Sequence, residues 1–192
     1  FGFPDEVKPY IYTLGALPVL KIDVNQAEAF WAVLDKAEKD SGVTHEMRKV
    51  GDVDYRAYAL SDESSAEKAE LLFAQKDGIL TMTFSTSITE PELLEMAFGI
   101  KKAPQSLAAS GILEDIIKTH GFKDDSISFI NHVEIVKALT SADSNMLAKQ
   151  LTQFFADESE GEDPLAQIRT PECRTELTAI AVNWPRTVAG LT

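Results

Sequence analysis

The sequence predicts an α+β fold in which a mainly antiparallel sheet carries helices packed on one face. Three observations lead there. Several short stretches alternate apolar and polar residues with period two. An Asp77-Gly78 pair joins two of them as a tight hairpin. The other apolar residues recur at helical spacing, in blocks grouped along the chain. Hairpin-joined strands beside grouped helices mark α+β architecture, because parallel sheets need a crossover between every pair of strands.

Leu20, Ile22 and Val24 form one side of the first strand, with Val19, Lys21 and Asp23 on the other. The segment before it, Pro4 to Tyr12, stays open between strand and linker. Asn25 is expected to cap the next helix, with Glu28 at the capping-box distance. Ala27, Phe30, Trp31, Leu34 and Ala37 would be its buried face and Gly42 its end. A second strand alternates Val53, Tyr55, Ala57 and Ala59 with Asp54, Arg56, Tyr58 and Leu60. Ser61 to Lys68 is polar and reads as a loop. Leu71 to Gln75 and Ile79 to Ser85 are the arms of the hairpin. On the second arm Leu80, Met82 and Phe84 oppose Thr81 and Thr83.

Thr89-Glu90-Pro91-Glu92 opens a short helix, with Thr89 as cap and Pro91 in the first turn. A further helix covers Ser110 to His120, burying Ile112, Leu113, Ile116 and Ile117, with Ser110 as its N-cap. Ile127, Phe129, Asn131, Val133 and Ile135 suggest one more strand. Asp143 to Phe155 reads as a helix. Asp157 to Asp163 is acidic without a base, so a solvated loop is expected. Thr170 caps a last helix with an apolar stripe of Leu177, Ile180, Ala181 and Trp184, and Pro185 ends it. The whole is expected to be one domain over residues 1–192, part of a longer protein because it starts at Phe1. The segments 19–40 and 127–155, each a strand followed by helix, could be a weak internal duplication.

Composition narrows the function. The net charge of −13 disfavours nucleic-acid binding, since phosphates repel an acidic surface, and disfavours a polybasic membrane contact. No apolar stretch reaches the length of a membrane helix. One cysteine rules out an internal disulfide.

Five motifs occur in a familiar order and spacing. They are Leu17-Pro18-Val19-Leu20-Lys21-Ile22, Tyr55-Arg56-Ala57-Tyr58, Asp77-Gly78-Ile79-Leu80, Ser106-Leu107-Ala108 and the strand Ile127 to Asn131. Together they resemble a family of bacterial cell-envelope proteins known only as a domain of unknown function. The resemblance spans Tyr10 to Thr140. It implies an α+β fold and a periplasmic or envelope address, in members behind a signal or lipid anchor and usually longer than this chain. It brings no catalytic residues with it.

Chemistry-bearing patterns are few. His45, His120 and His132 lack metal-ligand spacing, and no glycine-rich phosphate loop or nucleophile elbow occurs, so no metal and no cofactor are expected. Glu114-Asp115 and Asp124-Asp125 are adjacent pairs, read as exposed charges. Cys173 is the one site candidate. At the third helical position behind Thr170, the free amides favour a thiolate, and Arg174 is adjacent. It would be a reactive thiol or a disulfide partner for a segment outside this chain; the plainer alternative is a small hydrophobe in the packing. Tyr10, Tyr12, Phe1 and Phe3 crowd the N-terminus as a core or partner surface. The sheet face opposite the helices would show Lys21, Asp23, Thr81 and Thr83 if solvated. The first function reading is a non-enzymatic binding or structural module of an extracytoplasmic bacterial protein, its partner another envelope protein or a second copy. One alternative is a hydrolase around His132 with Asp124 or Asp125. The other is a lipid or hydrophobic-ligand carrier, which needs a large apolar cavity.

Overall fold

A computed structural model describes residues 2–61, 68–87, 89–104, 106–123, 126–158 and 163–192, without the side chains of 157 and 158. It falls into two compact units, Phe1–Ala103 and Pro104–Thr192, where the sequence reading took one domain. The α+β class with a mainly antiparallel sheet holds.

Unit one is built on a six-stranded antiparallel sheet. Its strands are β1 (Tyr10–Leu14), β2 (Leu17–Asp23), β3 (Glu46–Val50), β4 (Val53–Ala59), β5 (Glu70–Lys76) and β6 (Ile79–Ser85), in the order β1-β2-β6-β5-β4-β3. Three two-residue turns set its register. Lys76 faces Ile79 across Asp77 and Gly78, both at positive φ, the geometry whose twist matches paired strands. Leu14 faces Leu17, and Val50 faces Val53, each across a turn whose first residue is a glycine at positive φ, Gly15 and Gly51. The open Pro4 to Tyr12 segment thus ends in a strand, and β3 is a strand the periodicity did not show.

Helix α1 (Ala27–Ser41) follows β2 and lies on one face of the sheet. Phe30 packs there with Val24, Tyr58, Phe73 and Leu80, and Trp31 and Leu34 border the cluster. The cap differs from expectation. Gln26 is the N-cap without a side-chain cap bond, and the amides of Asn25 and Gln26 both donate to the Gly2 carbonyl, so the N-terminal segment pins the entry to the helix. The inward position one turn after Leu34 belongs to Glu38, and Ala37 is exposed.

The second sheet face is not solvated. Val19, Thr83, Leu72 and Ala57 form one cross-strand row, none more than 3% exposed, and Thr81 is 2% exposed. Helix α2 (Pro91–Ala97) and Phe98 cover it. Leu93, Leu94, Met96, Ala97 and Phe98 are all buried, and the Phe98 ring lies 5.3 Å from Tyr55. The threonines fit because they bury a methyl with the hydroxyl, and the Thr83 hydroxyl donates to the Pro18 carbonyl at 2.7 Å. Glu90 is the N-cap of α2; the Thr89 hydroxyl instead accepts from the Thr86 amide.

Unit two pairs a two-stranded ribbon with helices. Its elements are α3 (Leu107–Ser110), α4 (Ile112–His120), β7 (Ile127–Asn131), α5 (His132–Thr140), α6 (Met146–Glu158), α7 (Pro171–Asn183) and β8 (Arg186–Gly190). The expected helix from Ser110 begins earlier, capped by Ser106, and breaks at Gly111. The strand read through Ile135 stops at Asn131, whose side chain accepts from the Glu134 amide and starts a helix. Segment 127–155 therefore holds a strand, the whole of α5 and most of α6, against one strand and one helix in 19–40. The Arg174 guanidinium donates to the Thr140 carbonyl at 3.0 Å, tying α7 to α5. Thr170 caps α7 as expected, but Ile180 and Trp184 are each 59% exposed, so its buried side narrows to Cys173, Leu177 and Ala181.

Candidate functional site

The richest polar cluster lies where α1 meets β4 in unit one. Glu38 sits on the sheet-facing side of α1 because it continues the Trp31, Leu34 spacing by four residues. Its Oε1 accepts from three groups: the Tyr58 hydroxyl at 2.5 Å, His45 Nδ1 at 2.7 Å and Arg56 Nη1 at 3.3 Å. Arg56 also donates to Asp35 at 2.6 Å and lies 4.8 Å over the Trp31 ring. Arg56 and Tyr58 share a strand face two residues apart, which is why both reach one carboxylate. The Tyr58 hydrogen bond, and then His45 and Arg56, hold the Glu38 carboxyl below the usual carboxylate range against the opposing effect of burial. Burial, then the Glu38 hydrogen bond, pushes the Tyr58 phenol up.

A His–Glu pair of this kind orients an imidazole as a general base would be oriented. Among the described residues no hydroxyl or thiol hydrogen-bonds to the other His45 nitrogen, and no cluster of three metal-ligating side chains occurs. Beside the cluster is an open cleft of about 430 Å³ lined by Trp31, Met47, Asp54, Arg56, Gln75 and Lys76. Its cations are engaged: Lys76 donates to Asp52 at 2.7 Å. On the far sheet face Arg48 binds both Glu70 oxygens at 2.8 Å and also Glu46, which ties β3 to β5 across β4. This pairing holds Glu70 below the usual carboxylate range.

His132 opens α5 in unit two. Its Nδ1 is 3.0 Å from the Trp184 carbonyl and its Nε2 3.2 Å from the Thr187 hydroxyl. The Trp184 ring meets the imidazole edge-on at 4.4 Å. Asp124 and Asp125, its expected partners, lie outside the described residues. No family model, curated protein or solved structure matches this chain.

Cys173 is free and half-buried, third in α7, its amide donating to the Thr170 hydroxyl. Arg174 turns to Thr140 and Arg169 carbonyls. The expected acidic loop from Asp157 to Asp163 is described only at its two ends: its first two residues belong to α6, and Asp163 accepts from Arg169 at 2.7 Å. No helix among the described residues is long and apolar enough to cross a membrane. Sequence reasoning missed Glu38, His45, Arg56 and Tyr58 as a group. One signal was present: an acid at the inward position of an apolar helical stripe, which needs a partner when the stripe is buried.

Proposed function

We propose that this chain is a non-enzymatic binding or structural module of an extracytoplasmic bacterial protein. The observation that carries the reading is the Glu38 cluster. The groups best placed for acid–base work, Glu38, His45, Arg56 and Tyr58, bond to one another and tie α1 to the sheet. A base held for catalysis keeps one nitrogen for substrate; both His132 nitrogens are spent, one on the Trp184 carbonyl at the end of α7 and one on the Thr187 hydroxyl in β8. The hydrolase reading has less support for that reason. Carriage of a lipid or other hydrophobic ligand also has less support, because charged side chains line the cleft beside the Glu38 cluster. The extracytoplasmic address rests on the resemblance at Tyr10 to Thr140.

The test has two arms. The purified chain is offered chromogenic esters, phosphoesters, glycosides and peptides, and no turnover above a heat-unfolded control is expected. Turnover abolished by His132→Ala would overturn the module reading. Fractionation of a bacterium expressing the full gene product should place it outside the cytoplasm; recovery wholly in the cytoplasmic fraction removes the address.

A further inference from the structure

Two strands bound the six-stranded sheet, and their chemistry differs. β3 carries Glu46, Arg48 and Lys49, with Arg48 held by Glu46 and Glu70 and Lys49 3.6 Å from Asp54. Charge on an edge strand deters pairing with another chain. β1, Tyr10-Ile11-Tyr12-Thr13-Leu14, has none. It lies in an uncharged run of the sequence, Pro9 to Leu20, in a chain with 26% charged residues. Ile11 is 76% exposed and Tyr10 61% exposed, and no described strand pairs with the outer side of β1.

The β1 backbone is complementary to itself. Leu14 and Leu17 flank a two-residue turn, so that pair exchanges both ladder hydrogen bonds and the pattern alternates from there. Leu14, Tyr12 and Tyr10 bond to β2, while the N–H and C=O of Ile11 and Thr13 point away from it. A two-fold axis at Tyr12 sets Ile11 opposite Thr13 of a second copy, and Thr13 opposite its Ile11. All four outward residues then exchange both bonds. Tyr12 meets its own counterpart in a non-hydrogen-bonded pair, where side chains lie closest.

We propose that β1 is a self-pairing edge through which two copies of this chain join their sheets antiparallel about a two-fold axis. Charge favours a second copy at this edge over others on the surface. Two bodies of net charge −13 repel, and the neutral strand is where that repulsion is least. A contact of one strand belongs to the small class, below about 1,200 Å² in total. The dimer is therefore reversible, and salt strengthens it by screening the repulsion. The inference names the partner left open by the module reading. Failure of pairing leaves that reading with a different partner, whereas turnover would remove the reading and leave pairing untouched.

Sedimentation equilibrium of the whole chain tests it. A monomer–dimer equilibrium that shifts toward dimer with added salt is expected. Ile11→Lys should weaken association roughly tenfold or more by setting one charge from each copy into the neutral edge, where charge deters strand pairing. Its unfolding midpoint should stay unchanged, because Ile11 is exposed. Tyr12→Cys combined with Cys173→Ser should form a disulfide dimer under mild oxidation, since paired residues there sit about 4.5 Å apart, within disulfide reach. Met47→Cys on β3, in the same background, should not. A monomer at every concentration and salt overturns the proposal. So does association indifferent to Ile11→Lys, or cross-linking at Met47→Cys as fast as at Tyr12→Cys.

Discussion

Leu72→Ala measures whether the face of the sheet away from α1 is a true core. Leu72 lies in β5 between Thr83 and Ala57 and is 1% exposed. Alanine removes three carbons, worth about 2.4 kcal/mol of transfer at ~0.8 kcal/mol per methylene. Neighbours on two strands cannot close the gap fully, so a cavity contribution brings the loss to about 3–4 kcal/mol. Phe73→Ala, next in sequence and on the α1 face, should lose about 3–5 kcal/mol. Met47→Ala, at an exposed edge position, should stay within about 0.5 kcal/mol. Trp31 reports unit one in urea once Trp184→Phe has silenced unit two. With a slope of about 1.5 kcal/mol/M, Leu72→Ala should lower the midpoint by about 2 M. If Leu72→Ala matches Met47→Ala while Phe73→Ala is severe, the second face is open to water and the account of the buried threonines fails.

Three further outcomes are expected. The Glu38 carboxyl is depressed on folding, so its contribution is present above the ordinary value of 4.5 and lost as pH falls through the folded value; Glu38→Gln should reduce the Trp31-reported midpoint at neutral pH and flatten its acid-side decline, and an unaltered pH profile would contradict this. His132→Ala removes contacts to Trp184 and Thr187 and should cost unit two about 1–2 kcal/mol, seen as faster hydrogen exchange in α5 and β8 and no change in unit one. A Cβ on Gly190 would lie 2.6 Å from the Phe122 ring and 2.8 Å from the Ser126 carbonyl, so Gly190→Ala should loosen the β7–β8 ribbon by about 1–3 kcal/mol in the same exchange measurement.

Burial on one side writes a period into a sequence, and burial on both sides erases it. β4 was read from Val53, Tyr55 and Ala57, yet Tyr58 on the opposite side is buried as well. Thr81 and Thr83 looked like the wet half of an alternation. Their small branched side chains instead suit a sheet face packed under α2, and the Thr83 hydroxyl has the Pro18 carbonyl within reach. The same limit hid the Glu38 cluster. Its members come from α1, the turn after it and β4, and only the sheet register brings Arg56 and Tyr58 opposite one helix turn. Two caps stand where the sequence puts them, Thr170 at the start of α7 and Gly42 at the end of α1. Elsewhere a neighbouring residue takes the place, Glu90 for Thr89 and Ser106 for Ser110, and at α1 Gln26 stands where Asn25 was expected, with the Gly2 carbonyl drawing both their amides.

The strands that periodicity left unread or undecided, β1, β3 and β8, each have a side without a strand partner among the described residues. An edge strand is held by one ladder, and its outer residues answer to solvent or to a partner, so strict alternation is not imposed on it. Glu46-Met47-Arg48-Lys49-Val50 satisfies β3 with charge. The signal that locates these edges lies in the turns instead. Gly15 and Gly51, each first in a two-residue connection at positive φ, mark where β1 folds onto β2 and β3 onto β4. Turn chemistry thus reports the edges that hydrophobic period cannot. The contrast between a charged edge and a neutral one then becomes legible in sequence alone, once Gly51 and Gly15 have placed the two strands.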